Sequence, residues 1–275
     1  MPISSAKKPD VTLVSPISVF DAGIGSYAIV DLLRQRLPRQ DILYFADRAS
    51  FPYGRKPRSE LLSVMDRTMR FLMAHEPSAI VVASNVPSIT VMDDLKSMVN
   101  VPLFGVVPPL AEALATTQTG KVGIMGVQSM TGSPQLRQFV GRHTGDPDGV
   151  ALIDASPMVD LVENGDFLFN PAATRQKVDD FLGAVFRNHP DIDVLTLSST
   201  HLPWLRSYFE ASRPSCRFLD PAEAIVQTIG AGTQGSGTTI AIATESAEYT
   251  LDAFRAMLAK LGIALPVSPV SLPLQ

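Results

Sequence analysis

From Ile17 almost to its end, the chain alternates short runs rich in Val, Ile and Leu with longer amphipathic stretches. Short apolar runs suit strands buried on both faces, and the amphipathic stretches supply helices to cover those faces. The pattern therefore calls for βα units and a largely parallel sheet. The candidate strands are 17–21 (ISVFD), 41–46 (DILYFA), 79–84 (AIVVAS), 102–106 (PLFGV), 121–126 (KVGIMG), 149–153 (GVALI), 193–198 (DVLTLS), 216–219 (CRFL) and 238–243 (TTIAIA). Nine strands are more than one open sheet holds comfortably in 275 residues, and the prolines of 106–109 (VVPP) mark a boundary. An α/β chain of two lobes is expected.

Composition narrows the class. With 45% hydrophobic and 18% charged residues the chain can bury a sizeable core. Its net charge is -4, and Lys and Arg are scattered without a basic stripe, which argues against nucleic acid as a partner. No apolar run reaches the length of a membrane span, and the N-terminus lacks the apolar core of a signal peptide or the arginines of a transit peptide. The reading is a cytoplasmic protein with no membrane partner and roughly ten disordered leading residues. Cys216 is the single cysteine, so no internal disulfide is possible. His75, His143, His189 and His201 never approach metal-ligand spacing, and no metal or other cofactor is expected.

Near the C-terminus, Leu251, Phe254, Leu258 and Leu261 share one helical face, with Ser246 as the expected cap and Gly262 as the stop. The proline-rich end that follows reads as an extended tail, packed on the surface or loose in solvent. The stretch 230–237 (GAGTQGSG) contains a literal GxGxxG but precedes a strand. A dinucleotide fingerprint must follow one, so this stretch reads as a flexible loop.

Ligands of parallel α/β sheets bind just beyond the carboxyl ends of the strands. Four such ends carry polar residues: 20–26 (FDAGIGS), 46–54 (ADRASFPYG), 83–88 (ASNVPS) and 198–203 (SSTHLP). Gly23 and Gly25, after a strand and before a helical stretch, can turn backbone N–H groups toward an anion such as a carboxylate ligand. Asp21 suits an acid, a base or an orienting group, and equally a helix cap. His201 follows Ser198, Ser199 and Thr200, although a lone histidine is more often a structural hydrogen-bonder than a catalyst. Ser84, His201 and Asp21 can be assembled into a hydrolase triad, but neither serine position sits in a G-x-S-x-G elbow.

The order and spacing of these motifs resemble the glutamate racemase family within the aspartate/glutamate racemase superfamily. The family pattern "FDSG.GG", "YF.D...PYG", "ACNT", "GV", "LVE.G", "GCTHYP" is met in order along nearly the whole chain. The matching residues are Phe20-Asp21-Ala22-Gly23, Tyr44-Phe45 through Asp47 to Pro52-Tyr53-Gly54, Ala83-Ser84-Asn85-Val86, Gly105-Val106, Leu161-Val162-Glu163-Asn164-Gly165 and Ser198-Ser199-Thr200-His201-Leu202-Pro203. The resemblance implies two pseudo-symmetric α/β lobes with mainly parallel sheets and an active-site cleft between them. Lobe 1 would comprise 12–107 plus 225–265 and lobe 2 would comprise 108–224, with 266–275 as a tail. It also implies cofactor-independent proton transfer at the α-carbon of a small amino or carboxylic acid, with one cysteine thiol from each lobe flanking that carbon, and a homodimer, since family members often are dimers.

Here both thiol positions are serine, Ser84 and Ser199. A cysteine thiol ionises near pH 8.5, whereas a serine alkoxide is almost unpopulated unless a neighbouring base takes its proton. Asp21, Glu163 and His201 are the groups the resemblance offers for that role, and Ala22, Pro52, Tyr53, Gly54, Asn85, Val86 and Thr200 fall at its substrate-binding positions. Among these, Asn85, Thr200 and the Tyr53 turn would hold carboxylate groups. Ala22, Val86 and Met130 replace hydroxyl-bearing residues, which implies a more apolar pocket than glutamate needs and favours natural divergence over a targeted exchange of the two thiols. The leading expectation is an amino-acid racemase-type isomerase with weak or absent ordinary racemisation. The alternatives are a carboxylate-binding pseudoenzyme and a diverged lyase or decarboxylase, with a serine hydrolase as a third.

Overall fold

A computed structural model describes residues 12–229 and 235–272. The leading residues, and 230–234 of the glycine-rich stretch, lie outside the described residues, and so do the expectations of disorder and flexibility made for them. The strands are β1 (Ile17–Asp21), β2 (Ile42–Asp47), β3 (Ala79–Val82), β4 (Leu103–Gly105), β5 (Val122–Gly126), β6 (Val150–Asp154), β7 (Val194–Leu197), β8 (Arg217–Leu219), β9 (Thr239–Thr244) and β10 (Val267–Pro269). They form a six-stranded sheet, β10-β9-β2-β1-β3-β4, and a four-stranded sheet, β6-β5-β7-β8. Every pairing in both is parallel. Within the larger sheet β2-β1-β3-β4 repeats the order of β6-β5-β7-β8, so the two lobes share one topology.

The strand residues explain why both faces are covered. Alternate side chains of a strand point to opposite faces, and here both sets are apolar. Phe20, Phe45, Ile80 and Val82 pack with Leu61, Met65 and Leu72 of the helix Arg58–Met73. Val19, Tyr44 and Val81 belong to the other layer, with Ile29, Val30 and Leu33 of the helix Tyr27–Arg36. Each fully buried large aliphatic or aromatic side chain contributes about 1.5–3 kcal/mol, which is why an all-parallel sheet needs helices on both sides.

All nine expected strands are present. The structure differs at the C-terminus, where the tail supplies a tenth, Val267–Pro269, paired parallel to β9 at the sheet edge. Pro269 is tolerated there because an edge strand leaves one row of N–H positions unpaired, and Arg255 Nη2 donates to Val267 O at 2.7 Å. The final helix is Leu251–Lys260, and its cap is Thr250, whose side chain accepts from Ala253 N at 3.3 Å. Ser246 instead accepts from Tyr249 N in the preceding turn. Gly262 follows the helix in the left-handed conformation, φ 73°. The described end of the glycine-rich stretch leads into β9, and Ser236 there bonds Asp41 through both its N–H and its hydroxyl. Among the described residues no helix is long and apolar enough to cross a membrane.

Candidate active site

Both sheets deliver their carboxyl ends to one cleft of about 570 Å³. In each lobe the chain order reverses beside the first strand: β1 has β2 on one side and β3 on the other, and β5 has β6 and β7. Such a switch leaves a crevice at the strand ends. Ser84 follows β3 and Ser199 follows β7, so the two serines occupy equivalent strand ends of the two lobes. Eleven of the twelve residues expected at the site line the cleft: Asp21, Ala22, Pro52, Tyr53, Gly54, Ser84, Asn85, Val86, Ser199, Thr200 and His201. Glu163 does not. It is buried behind His201, accepting from His201 Nε2 at 2.8 Å, from Ile24 N at 3.2 Å and from Arg48 Nη1.

Each serine has its own titratable neighbour. The Ser84 hydroxyl interacts with the Asp21 carboxylate, which also accepts from Thr200 Oγ1 at 3.1 Å and from Ala22 N at 2.7 Å. Burial pushes the Asp21 carboxyl up to about 6, against the opposing pull of His201 and these hydrogen bonds. Ser199 Oγ lies 3.5 Å from His201 Nδ1, a loose contact of the kind that tightens once a ligand fills a site. The remaining ring nitrogen of His201 is the one bound to Glu163. Burial works to raise the Glu163 carboxyl, but the hydrogen bond from His201 and the charge of Arg48 outweigh it and hold it below its ordinary value. An ionised carboxylate can only accept, so Nε2 of His201 bears a proton and donates it to Glu163, which leaves Nδ1 facing Ser199. The triad Ser84–His201–Asp21 is not assembled, because Ser199 and Glu163 occupy both ring nitrogens.

The glycine turn after β1 has a different role from the one its sequence suggested. A Cβ on Gly23 would sit 2.4 Å from His201 Nε2, and one on Gly25 would sit 2.5 Å from the Thr200 carbonyl carbon. These positions are glycine because the second lobe presses its Ser-Thr-His turn against them. The carboxylate at this turn is the protein's own Glu163, held by the Ile24 N–H. Neither glycine lines the cleft.

Hydrogen bonding within the protein also commits several expected binding groups. Tyr53 donates its hydroxyl to Asp47 at 3.3 Å, and Thr200 donates to Asp21. Asn85 gives its Nδ2 to Val106 O at 3.2 Å, and its Oδ1 has no partner among the described residues. Met130 is not in the lining; it packs over Gly126 at the end of β5. Sequence reading missed Arg55, Gln128, Ser129 and Ser156 in the lining, so the pocket holds more polar groups than Ala22, Val86 and Met130 suggested. It also missed Arg48, for which no sequence signal exists beyond its place in the stretch 46–54. Cys216 is buried outside the cleft, and burial pushes its thiol up to about 12, leaving no thiolate there. Among the described residues no cluster of three or more His, Cys, Asp or Glu side chains could hold a metal.

Comparison with known proteins places this geometry. Residues 27–229 match the family model described as Asp/Glu/Hydantoin racemase. The glutamate racemase of Thermus thermophilus is 32% identical over 263 residues, 90% of this chain and 93% of that protein. The crystal structure of glutamate racemase from the same species, in complex with beta-chloro-D-alanine, superposes with a TM-score of 0.77 at 31% identity and covers 94% of this chain and 97% of that one. The Escherichia coli glutamate racemase structure, at 20% identity, shares the fold with a TM-score of 0.82, covering 94% of this chain and 100% of that one. The chain therefore belongs to the Asp/Glu/Hydantoin racemase family.

Proposed function

We propose that the cleft moves a proton on and off the α-carbon of a small amino acid, in the manner of a glutamate racemase, with Ser84 and Asp21 serving one face and Ser199 and His201 the other. The observation that carries this reading is the pairing of each serine with a different titratable group across a single cleft. When Asp21 is ionised and His201 carries two protons, Ser84 takes the α-proton as Asp21 takes the Ser84 proton. Ser199 returns a proton to the opposite face and is resupplied from His201 Nδ1. Turnover leaves Asp21 protonated and His201 neutral, the state that runs the reaction in reverse on the other enantiomer. One proton shared between Asp21 and His201 thus replaces the proton shared by two thiols in the glutamate racemase pattern.

Substrate contacts follow from the groups left free. Asn85 Oδ1 is an acceptor and suits the ammonium, while Arg55 and Ser129 suit the carboxylates. Serine remains a weaker acid than cysteine by several pH units, so exchange is slow. The test is to incubate the protein in D2O with each enantiomer of glutamate and follow the α-proton by NMR. Slow exchange is expected, with an increase of at least about 10²-fold in the Ser84→Cys/Ser199→Cys variant. Silence from both proteins would overturn the reading.

A second reading rests on the apolar wall formed by Ala22, Phe51, Val86, Val127 and Val159. It is a lyase or decarboxylase acting on a less polar acid through the same bases. Exchange or CO2 release with aryl- or alkyl-substituted malonates, and none with glutamate, would favour it. Saturable ligand binding without any exchange would instead favour a non-catalytic role.

A further inference from the structure

Arg48 is a buried cation that the proposed reaction leaves unused. It follows β2 in the first lobe and is 1% exposed. Its guanidinium lies 4.9 Å from the ring centroid of Phe254, 5.5 Å from that of Tyr249 and 5.9 Å from that of Phe51. Nη1 donates to Glu163 and to Ala22 O at 3.4 Å. Desolvating an arginine is costly unless an ion pair offsets it, and Glu163 of the second lobe is its one salt-bridge partner among the described residues. That same carboxylate orients His201.

We propose that Arg48 is a positioning residue: by matching the charge of Glu163 and fixing its carboxylate, it lets His201 stay bonded to Glu163 through Nε2 in both of its proton states, so that Nδ1 can give a proton to Ser199 and take one back. Without Arg48 the unmatched carboxylate holds the imidazolium, and Nδ1 no longer releases its proton. The charged and titratable groups facing this pair are Asp21 of β1, Tyr44 of β2, Arg48 after it, and Tyr249 ahead of the last helix. Of these only Arg48 supplies a fixed positive charge. Its aromatic cradle includes Tyr249 and Phe254 from the C-terminal segment, so that segment helps set the protonation of a base carried by the other lobe. The catalytic meaning of this device rests on the proton-transfer reading, whereas the state of the imidazole does not.

The experiment is side-chain 15N–1H NMR of His201 over a pH series, without substrate, in the native protein and in Arg48→Met, Arg48→Lys and Arg48→Met/Glu163→Gln. The native ring is expected to keep a proton on Nε2 across the series while Nδ1 gains and loses one. In Arg48→Met the second proton should persist to a pH higher by roughly 1–3 units, the usual effect of an unscreened neighbouring charge. Arg48→Lys keeps the charge and should behave as native. The double variant removes both charges and should also lose the persistence of the second proton. If Arg48→Met does not fold, the comparison of the double variant with Glu163→Gln alone carries the test, because restoring Arg48 beside a neutral amide must then favour the neutral ring still further. An unchanged ring titration in folded Arg48→Met, or a titration unchanged between that second pair, overturns the proposal. Failure of α-proton exchange with the NMR result intact would instead count against the proposed function alone.

Discussion

Ser84 and Ser199 stand at equivalent strand ends, one in each lobe, yet their surroundings differ in kind. Beside Ser84 the neighbouring strand β1 ends in a carboxylate, Asp21. The corresponding strand of the second lobe, β5, ends in Gly126, which has no side chain and which Met130 covers. Ser199 has its titratable neighbour in its own turn, two residues on, and that imidazole is braced by Glu163 from the second lobe and, through Glu163, by Arg48 from the first. The scaffold is repeated, but the chemistry is not. Under the proposed function a carboxylate raised by burial and an imidazole backed by an ion pair trade one proton, which two copies of the same group in the same surroundings would do with no bias between the faces.

The largest expected effect tests that division of labour. Asp21→Asn should cut α-proton exchange of one glutamate enantiomer by about 10²–10⁴-fold, and His201→Asn should do so for the other enantiomer. Equal losses of both enantiomers in both variants, measured by NMR in D2O, would break the assignment of one base to each face. The next effect probes the contact between the lobes. Gly23→Ala places a Cβ 2.4 Å from His201 Nε2 and 2.8 Å from Glu163 Oε2, so it should destabilise by about 1–3 kcal/mol in denaturant unfolding.

Asp21 also makes a prediction about pH. Its folded value, about 6, exceeds the ordinary 3.8, so the charged form costs stability above pH 6 and the cost vanishes below 3.8. Asp21→Asn should therefore be more stable than the native chain by about 1–2 kcal/mol at pH 8, with the gain lost as the pH falls through that window. A gain that persists at pH 3 would show that the charge is not its cause. The smallest effect is the control for Gly23. Gly141 lies in the helix Pro134–His143 with open space where a Cβ would go, and Gly141→Ala should stabilise by about 0.5–1 kcal/mol.

Legibility in the sequence followed the range of the forces involved. The nine apolar runs were readable because burial on both faces leaves a local record in Val, Ile and Leu. β10 left no such record: Val267–Pro269 is short, sits among prolines, and is a strand only because β9 offers it an edge. Ser246 and Thr250 both precede the last helix, and choosing between them required the helix start itself. Motif order singled out Ser84, Ser199, Asp21 and His201, which line one cleft, and Glu163, which stands behind it. Gly23 and Gly25 were read as an open anion site, although the second lobe fills them.

The sequence by itself determined the parallel α/β architecture and the strand ends that carry polar residues, Ser84 and Ser199 among them, because each is written in a few neighbouring residues. Only the tertiary structure decided which titratable group stands beside which serine, that Glu163 stands behind His201, and that Arg48 is buried against Glu163. Those pairings join Thr200 to Asp21 and Arg48 to Glu163 across the chain. Their strength comes from charges brought within hydrogen-bond distance and stripped of water, a condition that no local stretch of sequence encodes.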